Sequence, residues 1–162
     1  MVTRAARKLG TEVSPEAALE VARRSRGTPR ESIRILERAR DIAQVEAAPV
    51  ILLAHVGQAA ERLGIDRHGL DRVERAAVRL LIERGRPLGR ESLAARLGVD
   101  LETYRDVHEP WLERSGLVER TELGRVATPK ANDLYGARAR RYGRSAAIRV
   151  LDEMIPDLWR SS

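Results

Sequence analysis

The 162-residue sequence has no cysteine and no phenylalanine. The first absence excludes disulfides and Cys-based zinc sites. It points to a reducing compartment, so a cytoplasmic location is expected. The second leaves two Trp and three Tyr as the only aromatic residues, so Leu, Ile, Val and Ala must build the core. Lysine is nearly missing too. Lys8 and Lys130 are the only ones, and neither follows a glycine-rich loop. No Gly-x-x-x-x-Gly-Lys-Ser/Thr segment is present to cradle phosphates, and no acidic Mg²⁺-binding strand is apparent. No apolar run approaches the roughly 20 residues of a membrane span; the longest is Val50 to Ala54. Residues Met1 to Gly10 are basic but carry no apolar stretch, so they do not read as a signal peptide.

What is abundant is Ala, Leu, Glu and Arg, a helix-forming composition. The net charge is +6, which suits a nucleic-acid partner without requiring one. Its distribution matters more. Acids and bases cancel from Asp71 to Gly136, so the excess lies in the first 48 residues and after Gly136. Any nucleic-acid contact in the central segment must come from a few placed side chains.

Helix signals run in series. Thr3 to Leu9 reads as a short helix stopped by Gly10. Ser14-Pro15-Glu16 opens a second, with Ser as N-cap and Pro at the first position, and Gly27 ends it. Thr28-Pro29-Arg30-Glu31 opens a third with the pattern of a capping box, and Ile33, Leu36, Ala39, Arg40 and Ala43 follow at helical spacing. Pro49 breaks the run, and a fourth helix is expected over His55 to Leu63. Gly64 to Gly69 reads as a linker. Asp71 then caps a helix carrying Val73, Ala76, Ala77, Leu80 and Leu81, and Pro87-Leu88-Gly89 is a turn. A short helix covers Glu91 to Leu97, and Asp100 caps a longer one over Leu101 to Arg114, bent at Pro110. After it the period changes from helical to alternating. Residues 117–121 and 125–128 are strand-like and Glu122-Leu123-Gly124 joins them as a hairpin. A final helix starts near Lys130. Three helices followed by a hairpin, with Leu93 to Val99 and Tyr104 in a helix-turn-helix pattern, make a winged helix. The expected fold is therefore mostly α: a small helical bundle over 1–64, a winged-helix domain over 69–136 and a basic helical extension over 137–162. In that extension Ile148, Leu151, Ile155 and Leu158 fit one apolar stripe beside Arg138, Arg140, Arg141, Arg144 and Arg149.

Several of these segments resemble one family. The run Ala22 to Arg30, the helix leading to Arg40-Asp41-Ile42-Ala43-Gln44-Val45, then Gly69-Leu70-Asp71, Pro87-Leu88-Gly89, Glu91 to Ala94, Glu109-Pro110-Trp111-Leu112 and Arg120-Thr121 with Gly124 to Thr128 are similar, in order and spacing, to the lid and winged-helix parts of RuvB. RuvB is a ring-forming AAA+ ATPase that drives DNA through Holliday junctions with a partner, RuvA. The resemblance covers about residues 1–136 and implies a role in DNA recombination and repair. It implies ATP as a cofactor only if the chain joins an ATPase core, since the chain has none of its own and no catalytic residue is assigned. The implied partners are duplex or branched DNA and a RuvA-like or RuvB-like protein.

The resemblance also assigns roles. Arg30 becomes a nucleotide sensor, a role suited to an always-charged fork at a helix N-terminus; the bland alternative is a solvated residue at a helix start. Arg120 and Arg125 flank the wing and become DNA contacts, with Thr121 and Thr128 as donors to phosphate. Arg105, on the second helix of the helix-turn-helix, is a further phosphate contact. One departure stands out. Where the family carries Pro-Arg in the wing, this chain has Glu122-Leu123, which exchanges a basic group for an acid. Tyr104 and Trp111 read as core. His55, His68 and His108 show neither metal-ligand spacing nor a carboxylate cluster around them, and Asp71 with Glu74 reads as a cap and a helix start rather than a carboxylate pair. Two other functions stay open: a stand-alone winged-helix regulator reading DNA through Leu101 to Arg114, and an interaction module with no DNA role.

Overall fold

A computed structural model describes residues 1–142, with side chains through residue 136. The expected extension therefore lies outside the described residues beyond residue 142. The chain divides into two compact units, Met1–Arg72 and the part from Val73 onward.

The first unit is a bundle of four helices: α1 (Val2–Lys8), α2 (Pro15–Arg24), α3 (Pro29–Val45) and α4 (Leu53–Arg62). The start of α2 is set as its sequence dictates. Ser14 Oγ accepts the Ala17 N–H at 3.2 Å, and Pro15 occupies the first helical position, where a missing N–H costs nothing. The core is aliphatic, with Val21, Ile35, Leu36, Ile51 and Val56 fully buried. Ala39, Ala59 and Ala60 are buried with them, and their small side chains suit close packing of α3 on α4. Of the expected α3 stripe Leu36, Ala39 and Ala43 are buried, joined by Ser32, Ile35 and Ile42, while Ile33 is exposed.

Three features of this unit depart from the sequence reading. Two short strands, β1 (Glu12–Val13) and β2 (Val50–Ile51), pair in parallel, Glu12 with Val50 and Val13 with Ile51. The expected capping box at Thr28 does not form. Its hydroxyl donates to the Ser25 carbonyl at 2.9 Å, because positive φ at Arg26 and Gly27 folds the chain back on the end of α2. The strain at Arg26 is offset by its guanidinium, which donates to the Gly69 carbonyl at 3.0 Å and pairs with Asp71 at 3.2 Å. The third departure is the expected linker. Asp66 Oδ1 accepts the N–H groups of His68 and Leu70, Ile65 and Leu70 are buried, and Gly69 lies against the Arg24 carbonyl. This stretch is a structured loop of the first unit.

The second unit has α5 (Arg72–Arg84), α6 (Arg90–Leu97), α7 (Leu101–Thr103), a π-helical turn (Tyr104–His108), α8 (Glu109–Arg114), the hairpin β3 (Val118–Thr121) and β4 (Gly124–Ala127), and α9 (Pro129–Tyr142). Gly98 ends α6 in the left-handed conformation, φ +66°, and Asp100 caps α7 by accepting the Thr103 N–H at 2.7 Å. The helix expected over Leu101 to Arg114 is thus interrupted rather than simply bent. Pro110 has no N–H to offer the preceding turn, and its ring crowds the carbonyl four residues back. A π turn relieves both, and the Glu109 N–H bonds to the Tyr104 carbonyl five residues earlier. The wing pairs Val118 with Ala127 and Arg120 with Arg125, leaving Glu122-Leu123 as the two-residue loop. Neither loop residue takes positive φ, so Gly124 adopts φ +133°. A third segment joins the hairpin, since Leu88 and Arg125 exchange both backbone hydrogen bonds, at 3.0 and 2.8 Å.

Gly124 is required there twice over. Besides its φ, a Cβ on it would lie 2.6 Å from the Leu88 carbonyl oxygen. Gly124→Ala is expected to destabilise the second unit by about 3 kcal/mol, read from urea unfolding.

Candidate nucleic-acid interface

The sequence-predicted contacts fall into three groups once placed. Arg120 lies on β3 with its side chain exposed and has no hydrogen-bond or ion-pair partner among the described residues. Thr121 and Thr128 have internal work. Thr121 Oγ1 donates to the Gly124 carbonyl at 2.8 Å and closes the hairpin. Thr128 Oγ1 donates to the Gly116 carbonyl at 2.7 Å and accepts the Ala131 N–H at 3.2 Å, so it caps α9. Lys130 reinforces the same corner by donating to the Ser115 carbonyl at 2.7 Å.

Arg125 is the clearest difference from expectation. It is only 8% exposed, and its Nε donates to Glu109 Oε1. Glu109 is itself 4% exposed and accepts a second charged hydrogen bond from Arg90 Nε at 2.8 Å. Arg125 therefore faces a carboxylate inside the domain and not the outside of the wing. Glu109 and Arg90 were missed by sequence reasoning. Glu109 sits at the exit of the π turn, and in a continuous α-helix the residues after that point would be turned by roughly 100°. No spacing rule marks it as an inward position. A shallow pocket of about 480 Å³ opens between the start of α6 and the wing, lined by Gly89, Arg90, Glu91 and residues 120–125.

Arg105 is exposed on the second helix of the helix-turn-helix, but Asp106 grips it at 2.6 and 2.8 Å. That contact and the Asp106 charge hold the Arg105 pKa above its ordinary value, and the same hydrogen bonding with the Arg105 charge lowers that of Asp106. The exposed face of this helix presents Leu101, Glu102, Arg105, Asp106 and Val107. Two acids against one base leave it net negative.

Tyr104 and Leu112 are fully buried, while Trp111 is half-buried. The Tyr104 hydroxyl has no hydrogen-bond partner among the described residues. Burial pushes its pKa up, and the nearby Glu109 charge adds to the effect. Two histidines each lie beside a carboxylate. His55 Nδ1 accepts the Leu52 N–H while its Nε2 lies 3.0 Å from Glu46, and His108 Nδ1 lies 3.5 Å from Glu74, which is fully buried. The sequence could not show this, because Glu74 and His108 are 34 positions apart in the chain.

In the first unit Arg30 is the second residue of α3, exposed, with no partner among the described residues. An unpaired guanidinium in the first turn of a helix is a fit for an anionic group.

The arrangement defines a class: a helix-turn-helix with a hairpin wing, preceded in the chain by a small helical lid. Family models extend that class to both parts. Residues 1–66 match the RuvB AAA lid domain and residues 67–136 the RuvB C-terminal winged helix domain. The chain belongs to the RuvB family. It is 44% identical over 138 residues to the Holliday junction branch migration complex subunit RuvB of Fervidobacterium nodosum, covering 84% of this chain and 40% of that protein. To the subunit of the same name from Chloroflexus aggregans it is 46% identical over 138 residues, covering 84% and 39%. Among solved structures, the Thermotoga maritima RuvB Holliday junction branch migration motor matches with a TM-score of 0.78 at 41% identity, over 82% of this chain and 45% of that one. The chain thus spans less than half the length of these relatives.

Two outcomes test the interior described here. Replacing Tyr104 by Phe removes a buried hydroxyl without a partner and should raise stability by about 1 kcal/mol in urea unfolding. Hydrogen bonds from Thr103 hold the Asp100 carboxyl below the ordinary carboxylate range. The stability it adds is present above the unfolded value of about 3.9 and is lost as pH falls through the lower folded value. Asp100→Asn should flatten that acid-side loss when unfolding midpoints are compared between about pH 2 and 6.

Proposed function

We propose that this chain binds duplex or branched DNA through its wing, as the lid and winged-helix part of a RuvB-type branch-migration system. The single observation that carries the reading is Arg120: exposed on the hairpin and free of protein partners among the described residues. A guanidinium presented this way neutralises a phosphate or enters a minor groove. Family membership supplies the context, since the relatives are subunits of a Holliday junction branch migration complex. Recombination and repair is the corresponding process, with a RuvA-like or RuvB-like protein as partner.

ATP belongs to an ATPase core outside this sequence. Toward that nucleotide the residue to watch is Arg30, placed to meet an anionic group from the first turn of α3. Among the described residues no helix is long and apolar enough to cross a membrane.

A stand-alone regulator reading DNA through Leu101 to Arg114 is disfavoured by the acidic face of that helix, where Asp106 already occupies Arg105. The interaction-module reading has one observation in its favour: the wing tip presents Glu122 beside Leu123, which is 81% exposed. Binding measurements separate the readings. Arg120→Ala should weaken duplex binding at least fivefold at 0.1 M salt. It should also reduce the slope of log K against log salt by about 0.9, the value for one lost phosphate contact. Glu122→Arg should tighten binding and steepen that slope. No measurable duplex binding by the wild-type chain at physiological salt would favour the interaction module.

A further inference from the structure

We propose that Glu109 is a positioning residue for DNA binding, and that Arg125 serves the wing through Glu109 instead of touching DNA. The DNA part of this inference rests on the function proposed above. Three segments meet on one buried carboxylate. Arg90 brings the first residue of α6, Arg125 brings β4, and Glu109 itself stands where the π turn passes into α8. Arg125 is also the residue whose backbone exchanges both hydrogen bonds with Leu88, just ahead of α6. The wing is therefore anchored by backbone and side chain at the same position.

The register explains why an acid is needed there. Arg120 and Arg125 are direct cross-strand partners, so their side chains leave the hairpin on the same face. Like charges directly opposite each other repel and would splay the strands. Glu109 shares its charge between Arg90 and Arg125 and draws Arg125 inward, which leaves Arg120 as the exposed cation of the wing among the described residues. Between 118 and 127 the other charges are Glu119 and Glu122, both acidic. A wing with this composition holds DNA only if Arg120 is held in place, and the carboxylate behind Arg125 does the holding.

The sign of one substitution separates positioning from direct electrostatics. Glu109→Gln removes an acid from a DNA-binding domain, so Coulomb attraction alone predicts equal or tighter binding to a polyanion. Positioning predicts the opposite: duplex binding weakened at least fivefold, with no further loss when Arg120→Ala is added. Arg125→Lys is the second variant. It keeps the charge, which is enough for a phosphate contact, but loses the Nε–H that bonds Glu109. Positioning predicts that it also weakens binding at least fivefold; a direct phosphate contact predicts a change within twofold.

Hydrogen exchange on the free protein tests the anchor without DNA. In both variants the Leu88 and Arg125 amides should exchange at least tenfold faster, while α5 amides keep wild-type rates. Should Glu109→Gln loosen α5 as well, Arg125→Lys decides. Unchanged wing exchange in Arg125→Lys, or duplex binding by Glu109→Gln as tight as wild type, overturns the proposal. Faster wing exchange in a protein whose wild type binds no duplex upholds the anchor and refutes the DNA reading instead.

Discussion

A single carboxylate held between two guanidinium groups organises the second unit. Glu109 is buried, and a charge in that position is tolerable only because Arg90 and Arg125 both hydrogen-bond to it. Removing one member of such an arrangement typically costs about 3–5 kcal/mol, since the remaining charges stay desolvated. An apolar trio of similar volume would often be at least as stable. The ionic version adds direction: each guanidinium must approach the carboxylate along its own lone pairs, so the start of α6 and strand β4 are fixed in orientation as well as in distance.

That constraint depends on the backbone around it. Without the π turn, Glu109 would have a different rotation about the helix axis. Without Gly124, the Leu88 backbone could not approach close enough to extend the hairpin. Pro110, which forces the π turn, and Gly124, which allows the close approach, are the two residues whose backbone properties make the charge cluster possible. In the first unit a smaller version of the same logic operates. Arg26 takes a strained left-handed conformation, and its side chain secures the loop at Gly69 and Asp71.

Much of this was legible in the sequence. Ser14 and Asp100 act as the N-caps their positions imply, Gly98 terminates α6, and the hairpin turns within the expected Glu122-Leu123-Gly124, with Gly124 itself paired to Thr121. These signals are local. Most of the misses are not, although the one at Thr28 involves a partner only three residues away. Thr28 had the pattern of a capping box, but the Ser25 carbonyl competed for its hydroxyl. The resemblance assigns Arg125 to DNA, yet its partner lies 16 positions earlier on a helix whose phase the π turn had changed. The carboxylates beside His55 and His108 were invisible for the same reason. Thr121 and Thr128, both good donors by type, spend their hydroxyl hydrogens on carbonyls of their own domain. Arg120 and Arg30 are exposed.

The parallel pairing of β1 with β2 has a kinetic consequence. It joins Glu12 to Val50 and Val13 to Ile51, positions 38 residues apart, in a unit otherwise built from helices and short turns. Helices form in about a microsecond or less, whereas closing a long loop must come before the contact that rewards it. The entropy of closure grows only slowly with length, so the pairing is affordable once α2 and α3 have collapsed on each other. The meeting of these two short strands is therefore expected among the later steps by which the lid reaches its native state. Because Val13 and Ile51 also belong to the apolar core of the lid, the same contact that comes late adds to the stability of the finished unit.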